Sequence, residues 1–154
     1  MNLLHISSAV VWVDFFTIAL HRIFGLGISL DKWYSQFGIV AVISDCLVII
    51  LGILIAQLFF PSYPLLATAV AVQLVHDILF YLFVIMPLPA GQNAMIDLFK
   101  EYATENNWKI LLADSLMIGS TVIIAEELAH IRQSLVSFIG ILGAYALTYI
   151  LYTR

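Results

Sequence analysis

The feature that most constrains this chain is a series of long apolar segments separated by short polar connections. A helix that crosses the hydrocarbon core of a bilayer needs about 20 mostly apolar residues. Five segments approach that length, at residues 3–24, 38–60, 65–86, 110–125 and 135–152. The first is the least regular, because Asp14, His21 and Arg22 interrupt it. We therefore expect an all-α polytopic transmembrane bundle of five spanning helices, which makes residues 1–154 a single transmembrane domain.

The composition supports a bilayer as the solvent. Hydrophobic residues make up 63% of the 154 residues and charged residues only 10%, whereas an average soluble domain is about 45–50% apolar and about 25% charged. A soluble domain of this size has too much surface for its volume to bury so many apolar side chains. The net charge of −4 argues against a nucleic-acid-binding surface. The single cysteine, Cys46, excludes an intrachain disulfide and a cysteine-based metal site.

The residues between the segments are consistent with these boundaries. All four prolines lie between predicted spans, and proline inside a helix costs about 3 kcal/mol. The N-terminus lacks the basic residues of a signal peptide, so we expect the first segment to be retained. Aromatic residues near the predicted ends are expected at the membrane interface. They are Trp33, Tyr34, Tyr63, Trp108 and Tyr152.

The longest connection contains a pattern of its own at residues 93–106. Asn93 is a candidate helix cap, and apolar residues follow it at helical spacing. The opposite face carries Asp97, Lys100, Glu101 and Glu105. This pattern predicts an amphipathic helix in the plane of the interface, with those four residues as candidate contacts to partner proteins. The alternative is an ordinary solvated helical loop.

The distribution of positive charge predicts the orientation. With five spans, Arg22, Lys32, Lys100, Lys109 and Arg154 fall on one side of the membrane. Only Arg132 falls on the other side. Since loops rich in lysine and arginine stay in the cytoplasm, we expect the C-terminus and the interfacial helix on the cytoplasmic side.

The first four spans each contain one aspartate, and the four lie at similar depth: Asp14, Asp45, Asp77 and Asp114. A charged side chain at the centre of a spanning helix costs about 2.5–3.5 kcal/mol on insertion scales. Gln73 and His76 are the nearest polar neighbours of the third aspartate. The set is either an ion path or a hydrogen-bonded network that fixes helix pairing. The spacing typical of histidine metal ligands does not occur within the spans, so we expect neither a metal nor a cofactor.

Three segments together resemble small multi-span membrane proteins of large nucleocytoplasmic DNA viruses. They are QLVHDILFY at residues 73–81, MIDLFKEYA at 95–103 and ILLADSLM at 110–117. The resemblance covers about residues 73–125. It implies a minor capsid-associated structural protein of the internal virion membrane and of host-derived membranes. Such a protein would link lipid to capsid proteins within a larger assembly.

No catalytic motif accompanies these features. The sequence has no glycine-rich phosphate loop, no nucleophile elbow and no Cys-x-x-Cys pair. We therefore expect a protein that is not an enzyme, and on the resemblance a structural component of a virion membrane. The alternative is a small proton- or cation-conducting channel or transporter that uses the layer of buried Asp and His residues.

Overall fold

The computed structural model describes residues 1–153, and Arg154, one of the cations in the orientation argument, lies outside them. The described chain is helical throughout and has no strand. The helices are α1 Leu3–Phe24, α2 Ile28–Phe37, α3 Ile39–Phe59, α4 Leu65–Phe80, α5 Ala94–Asn106, α6 Lys109–Leu128 and α7 Gln133–Tyr152. Helix α4 continues as a π-helical turn, Tyr81–Ile85. The predicted all-α architecture is confirmed.

Four of these helices are long and apolar enough to cross a membrane: α1, α3, α4 with its π-helical extension, and α7. Helices α5 and α6 qualify as a fifth span only as a pair, and they meet at an angle of 105°. Helix α6 alone has 20 residues, which corresponds to about 30 Å at the α-helical rise. The chain is therefore an integral membrane protein with four to five candidate spans, as the hydropathy pattern predicts.

Helix α1 forms despite its polar residues because the buried ones point into the bundle. Asp14 and His21 are both buried rather than lipid-facing. A reciprocal cap fixes the start of the helix, since Asn2 Oδ1 accepts the His5 N–H and His5 Nδ1 accepts the Asn2 N–H, each at 3.2 Å. Gly25 ends the helix with a φ of 62°, which is the left-handed conformation that glycine adopts without strain.

Helix α1 packs closely along α7. Ser8 Oγ donates to the Val136 carbonyl at 3.1 Å, and Trp12 Nε1 donates to the Ile139 carbonyl at 3.0 Å. Gly143 permits this approach, because a Cβ there would lie 2.9 Å from Trp12 Nε1. Small residues at helix contacts and hydrogen bonds between helices are the usual means of association in lipid.

Two apolar clusters fill the bundle. One lies in the half that contains the N-terminus and the α3–α4 turn, and its members include Ile6, Ile53, Ile118, Val122 and Ala125. The other lies in the half that contains α2 and α5, and its members include Ile18, Trp33, Tyr34, Val42 and Leu147.

Helix α2 was not expected from the sequence. It lies between two glycines with positive φ, Gly27 and Gly38, and its apolar side faces the bundle. Trp33 and Tyr34 are 5% and 3% exposed, so both are buried in the bundle, and their depth relative to the membrane interface stays a prediction. Their side chains reach inward to a buried polar partner. The other three aromatic residues near predicted ends are exposed, namely Tyr63, Trp108 and Tyr152.

Helix α5 occupies the region predicted to be amphipathic. The predicted cap is present, since Asn93 Oδ1 accepts the N–H groups of Met95 at 3.0 Å and Ile96 at 3.2 Å. The helix ends at Asn107, whose φ of 50° turns the chain sharply into α6. Because α5 is nearly perpendicular to α6, it lies across one end of the bundle, which is the geometry that an interfacial helix requires.

One end of the bundle carries most of the cations. The Arg22 guanidinium donates to the Leu151 carbonyl at 3.1 Å, which places the ends of α1 and α7 together. Lys32, on α2, pairs with a residue of α5 at this same end. Arg132 lies in the α6–α7 turn at the other end. The cytoplasmic orientation of the C-terminus stays a prediction.

Candidate functional site: an acidic cavity within the bundle

A cavity of about 1000 Å³ lies between α3, α4 and α6, and helices α2 and α5 cover it. We call these two helices the cover. The cavity is lined mainly by apolar side chains, and its size is at the upper end of the range for small-molecule sites. Five of the six predicted site residues line it: Asp45, Gln73, His76, Asp77 and Asp114. The sixth, Asp14, lies behind its wall.

Asp45, on α3, is held by the cover. Trp33 Nε1 donates to its two carboxylate oxygens at 3.0 and 3.2 Å, and the Tyr34 hydroxyl donates to Oδ2 at 3.2 Å. These bonds satisfy a buried carboxylate and fix α2 against α3. Sequence reasoning missed Trp33 and Tyr34 as partners, although their positions on one helical face would have indicated that both point inward.

Asp77, on α4, is positioned by its own helix. Gln73 Nε2 donates to Asp77 Oδ1 at 2.7 Å, one turn away. His76 Nδ1 lies 3.0 Å from the same oxygen. Adjacent residues of a helix do not face each other well, so this contact depends on the imidazole turning toward the carboxylate. Asp77 Oδ2 is buried and has no hydrogen-bond partner within residues 1–153.

Asp114, on α6, faces Asp77 across the cavity wall. Both side chains line the cavity, and their carboxyl groups interact electrostatically. Two interacting carboxylates in apolar surroundings cannot both hold a negative charge without a large energetic penalty. A shared proton or a bound cation removes that penalty. The Asp77–Asp114 pair is therefore the part of the cavity best suited to binding positive charge.

Asp14, on α1, lies in the core of the bundle and adds a fourth aspartate to the three that line the cavity. It is 0% exposed, and neither carboxylate oxygen has a hydrogen-bond partner in the described chain. It interacts electrostatically with Asp45, and Asp45 in turn interacts with Asp114. The structure thus brings the four aspartates into one connected group, although only three of them reach the cavity.

A row of aromatic side chains, here called the aromatic wall, runs between Asp45 and Asp77. The rings of Trp33 and Phe99 lie 5.0 Å apart, and those of Phe99 and Phe80 lie 6.2 Å apart. Phe80 stacks on His76 with a centroid distance of 5.7 Å and an interplanar angle of 10°. All four rings line the cavity. Trp33 and His76, at the ends of this wall, are the residues that contact Asp45 and Asp77.

The cover is fastened by a carboxylate at a helix N-terminus. The two oxygens of Glu105, on α5, accept the backbone N–H groups of Ile28 and Ser29, each at 2.8 Å. These N–H groups belong to the first turn of α2 and have no partner within that helix. Hydrogen bonds from Ser29, and then from Ile28, lower the pKa of Glu105. Lys32 and Glu101 add an exposed ion pair at 2.5 Å between the same helices.

The predicted partner-contact residues of α5 all have partners within the chain. Glu101 and Glu105 bind α2, as described above. Asp97 Oδ2 accepts the Gly91 N–H at 2.9 Å, and the Lys100 ammonium group donates to the Leu88 carbonyl. In this structure these four side chains therefore position α5 and the segment before it. Their contact with other proteins stays a prediction.

The cavity is closed toward the other end of the bundle. Ile53 and Ile118 are fully buried beyond Gln73, and a Cβ on Gly52 would lie 3.0 Å from Ile118 Cδ1. In residues 1–153, no three His, Cys, Asp or Glu side chains are close enough together to hold a metal ion. The four aspartates are connected by pairwise electrostatic interactions rather than gathered as a compact set of ligands.

Comparison of the chain with protein-family models, with curated proteins and with solved structures finds no match.

Proposed function

We propose that this integral membrane protein is a small transporter or channel that moves protons or monovalent cations through its acidic cavity. The observation that carries the proposal is the Asp77–Asp114 carboxyl pair on the wall of a cavity of about 1000 Å³. Ionisable side chains inside a membrane domain are costly, and where they occur they mark ion and proton paths.

The neighbours of the pair support this role. Gln73 and His76 hold one oxygen of Asp77, and the other, Oδ2, is buried without a hydrogen-bond partner among the described residues. Asp45 and Asp14 supply two further carboxylates with which a positive charge can interact. A proton or cation that reaches Asp114 thus has several acidic groups within electrostatic range.

The close packing of the bundle on the side of the cavity away from the cover favours a transporter over an open channel. Ile53 and Ile118 fill the bundle beyond the cavity and are fully buried. A cation in the cavity therefore communicates with only one end of the bundle in this conformation. Release at the other end requires these side chains to move, which is an alternating-access mechanism rather than a continuous pore.

Flux into proteoliposomes tests the proposal. The wild-type protein is expected to carry protons down an imposed gradient, reported by a pH-sensitive dye inside the vesicles, or monovalent cations in the matching assay. Asp77→Asn and Asp114→Asn should abolish the flux, because they neutralise the pair while preserving its shape. Asp97→Asn is the matched control, since Asp97 does not line the cavity. Absence of both fluxes for the folded wild-type protein at every pH tested would refute the proposal.

The resemblance to viral membrane proteins supports a second proposal, which is compatible with the first. In this proposal the protein is a structural component of the internal virion membrane and contacts capsid proteins. The three segments that carry the resemblance, at residues 73–81, 95–103 and 110–117, form walls of the cavity. Detection of the protein in purified virions would support this role. Its absence from virions, with presence in infected-cell membranes, would contradict it.

A further inference from the structure

We propose that the cation bound in the cavity is an ammonium group that carries an apolar chain. This inference rests on the proposed function and specifies its substrate class. Three properties of the cavity support it: its size and apolar lining, its aromatic wall, and a set of unpaired buried acceptors beside the carboxyl pair.

The first property is the balance of polar and apolar surface. A site for a bare inorganic cation is small and lined with oxygen atoms. This cavity has a volume of about 1000 Å³, and its lining is mostly apolar. Leu30, Ile96 and Met117 are among the side chains that contribute. Apolar surface of this extent is best matched by a ligand with a hydrocarbon portion.

The second property is the aromatic wall of Trp33, Phe99, Phe80 and His76. Its rings follow one another at centroid distances of 5.0, 6.2 and 5.7 Å. Aromatic faces attract ammonium groups, and attract them more strongly where water is excluded. The wall runs between the partners of Asp45 and Asp77, so an ammonium group beside it is also near a carboxylate.

The third property is the set of acceptors left unpaired beside the carboxyl pair. Gln73 lines the cavity but is only 3% exposed, and its Oε1 has no hydrogen-bond partner in the described part of the chain. The buried Asp77 Oδ2 is unpaired in the same way. Buried acceptors are normally satisfied. An ammonium group offers up to three N–H donors, and one that binds beside Asp77 and Asp114 brings donors that this part of the cavity wall lacks.

One cation of the protein itself also lines the cavity. Lys109 is the first residue of α6, at the covered end of the bundle. It forms no ion pair with Asp45, Asp77 or Asp114 within the described residues. No lysine or arginine among residues 1–153 thus pairs with either carboxyl group, and the basic side chain in contact with the pair there is His76, 3.0 Å from Asp77 Oδ1. A pair without a lysine or arginine partner is suited to an external ammonium group.

The same chemistry has two sources, a free alkylamine or the ammonium headgroup of a lipid. Binding to the full-length protein in nanodiscs distinguishes them. Octylamine and 1-octanol are the matched probes, because they share a hydrocarbon chain and differ in the charged group. Native mass spectrometry of the protein extracted from its membrane provides the second arm, since it reports any retained lipid with an ethanolamine headgroup.

We expect octylamine to raise the Tm of the wild-type protein, with 1-octanol giving a much smaller shift. In Asp77→Asn and Asp114→Asn, the Kd for octylamine should rise roughly tenfold or more, since each loses a charge-assisted contact. Asp97→Asn should bind as the wild type does. Retention of an ethanolamine lipid by the wild type, but not by the two cavity variants, would identify the headgroup as the source.

Two results would overturn the inference if no such lipid is retained. One is an equal Tm shift from octylamine and 1-octanol, and the other is an equal octylamine affinity in the wild type and both cavity variants. The result of the amine-binding experiment is independent of the result of the flux assay, because the flux assay contains no amine. Flux without amine binding would reject the substrate class and leave the proposed function standing. Amine binding without flux would reject transport and leave the ligand assignment standing.

Discussion

Glu105 on α5 accepts the backbone N–H of Ser29 on α2 at 2.8 Å, and its second oxygen accepts the N–H of Ile28 at the same distance. A side chain of one helix thereby caps the N-terminus of another, where a negative charge also interacts favourably with the helix dipole. The two helices joined in this way are those that cover the cavity.

Replacing Glu105 by Ala should loosen the cover. Loss of an N-cap typically costs about 1 kcal/mol, and solvent screening at this exposed site keeps the value near that figure. We expect roughly fivefold faster hydrogen exchange for amides in the first turns of α2. Glu101→Gln is the matched control, because it removes only the exposed ion pair with Lys32, which contributes less than about 1 kcal/mol. Equal exchange rates in Glu105→Ala and wild type would contradict this role.

The same contact predicts a dependence on pH. Hydrogen bonds from Ser29 and Ile28 lower the pKa of Glu105 from its ordinary value of 4.5. A lowered pKa means that the capping contribution is complete above about pH 4.5 and is lost as the pH falls through the lower, folded-state value. Protection of the α2 amides, corrected for intrinsic exchange, should therefore be constant from neutral pH down to about 4.5 and decrease below it. A decrease near neutral pH would point to a different group.

The contact between α1 and α7 predicts a pair of contrasting glycine substitutions. In Gly143→Ala the new Cβ would lie 2.8 Å from Val11 Cγ2 and 2.9 Å from Trp12 Nε1, so one helix must shift. Overpacking of this kind typically costs about 1–3 kcal/mol. In Gly119→Ala the nearest atom would lie at 3.5 Å, an ordinary contact. Thermal unfolding in detergent should give a clearly lower Tm for the first variant only, and similar values for both would contradict the packing described.

Removing the carboxylate of Asp45 should destabilise the bundle through the groups that it satisfies. Asp45→Ala leaves Trp33 Nε1 and the Tyr34 hydroxyl buried without an acceptor, and each unsatisfied donor costs about 1–3 kcal/mol. Trp33→Phe removes one donor together with its hydrogen bond and should cost less. The Tm values of the two variants test this order. A Tm for Asp45→Ala equal to or above that of Trp33→Phe would show that the hydrogen bonds do not stabilise the fold.

Cysteine labelling tests the orientation and the span of α6 together. In a Cys46→Ser background, Lys100→Cys reports the end of the bundle that carries the cover, and His130→Cys reports the opposite end. A membrane-impermeant maleimide added to sealed vesicles of known orientation should label the two sites from opposite faces, with Lys100→Cys accessible from the cytoplasmic face. Labelling of both sites from one face would show that α6 does not cross the membrane.

The spans were predictable because their hydropathy follows directly from the bilayer as solvent. Helix α2 was missed because it is short and flanked by glycines, and because the prediction sought spanning segments. Its signal was present, since Leu30, Trp33, Tyr34 and Phe37 recur at the spacing of one helical face. That pattern also predicts that Trp33 and Tyr34 face the bundle rather than the membrane interface.

The sequence predicts how deep each site residue lies in the membrane, but it does not predict which of these residues lie next to one another. Counting along each span places the four aspartates at one level. The rotation of each helix about its axis decides which aspartates meet, and apolar helices give little information on rotation because most of their faces are alike. The position of Asp77 and Asp114 on one cavity, and the separation of Asp14 from it, therefore emerged only from the structure.

The bend at Asn107 connects helix α5, which covers the cavity, directly to helix α6, which carries Asp114. Only Asn107 and Trp108 separate α5 from α6, so the cover has a short and stiff connection to the helix that bears Asp114. A movement that lifts α5 from the cavity therefore acts next to the first turn of α6, and Asp114 lies little more than one turn from the start of that helix. Access to the cavity is consequently linked, through two residues of backbone, to the helix that carries one of its carboxyl groups.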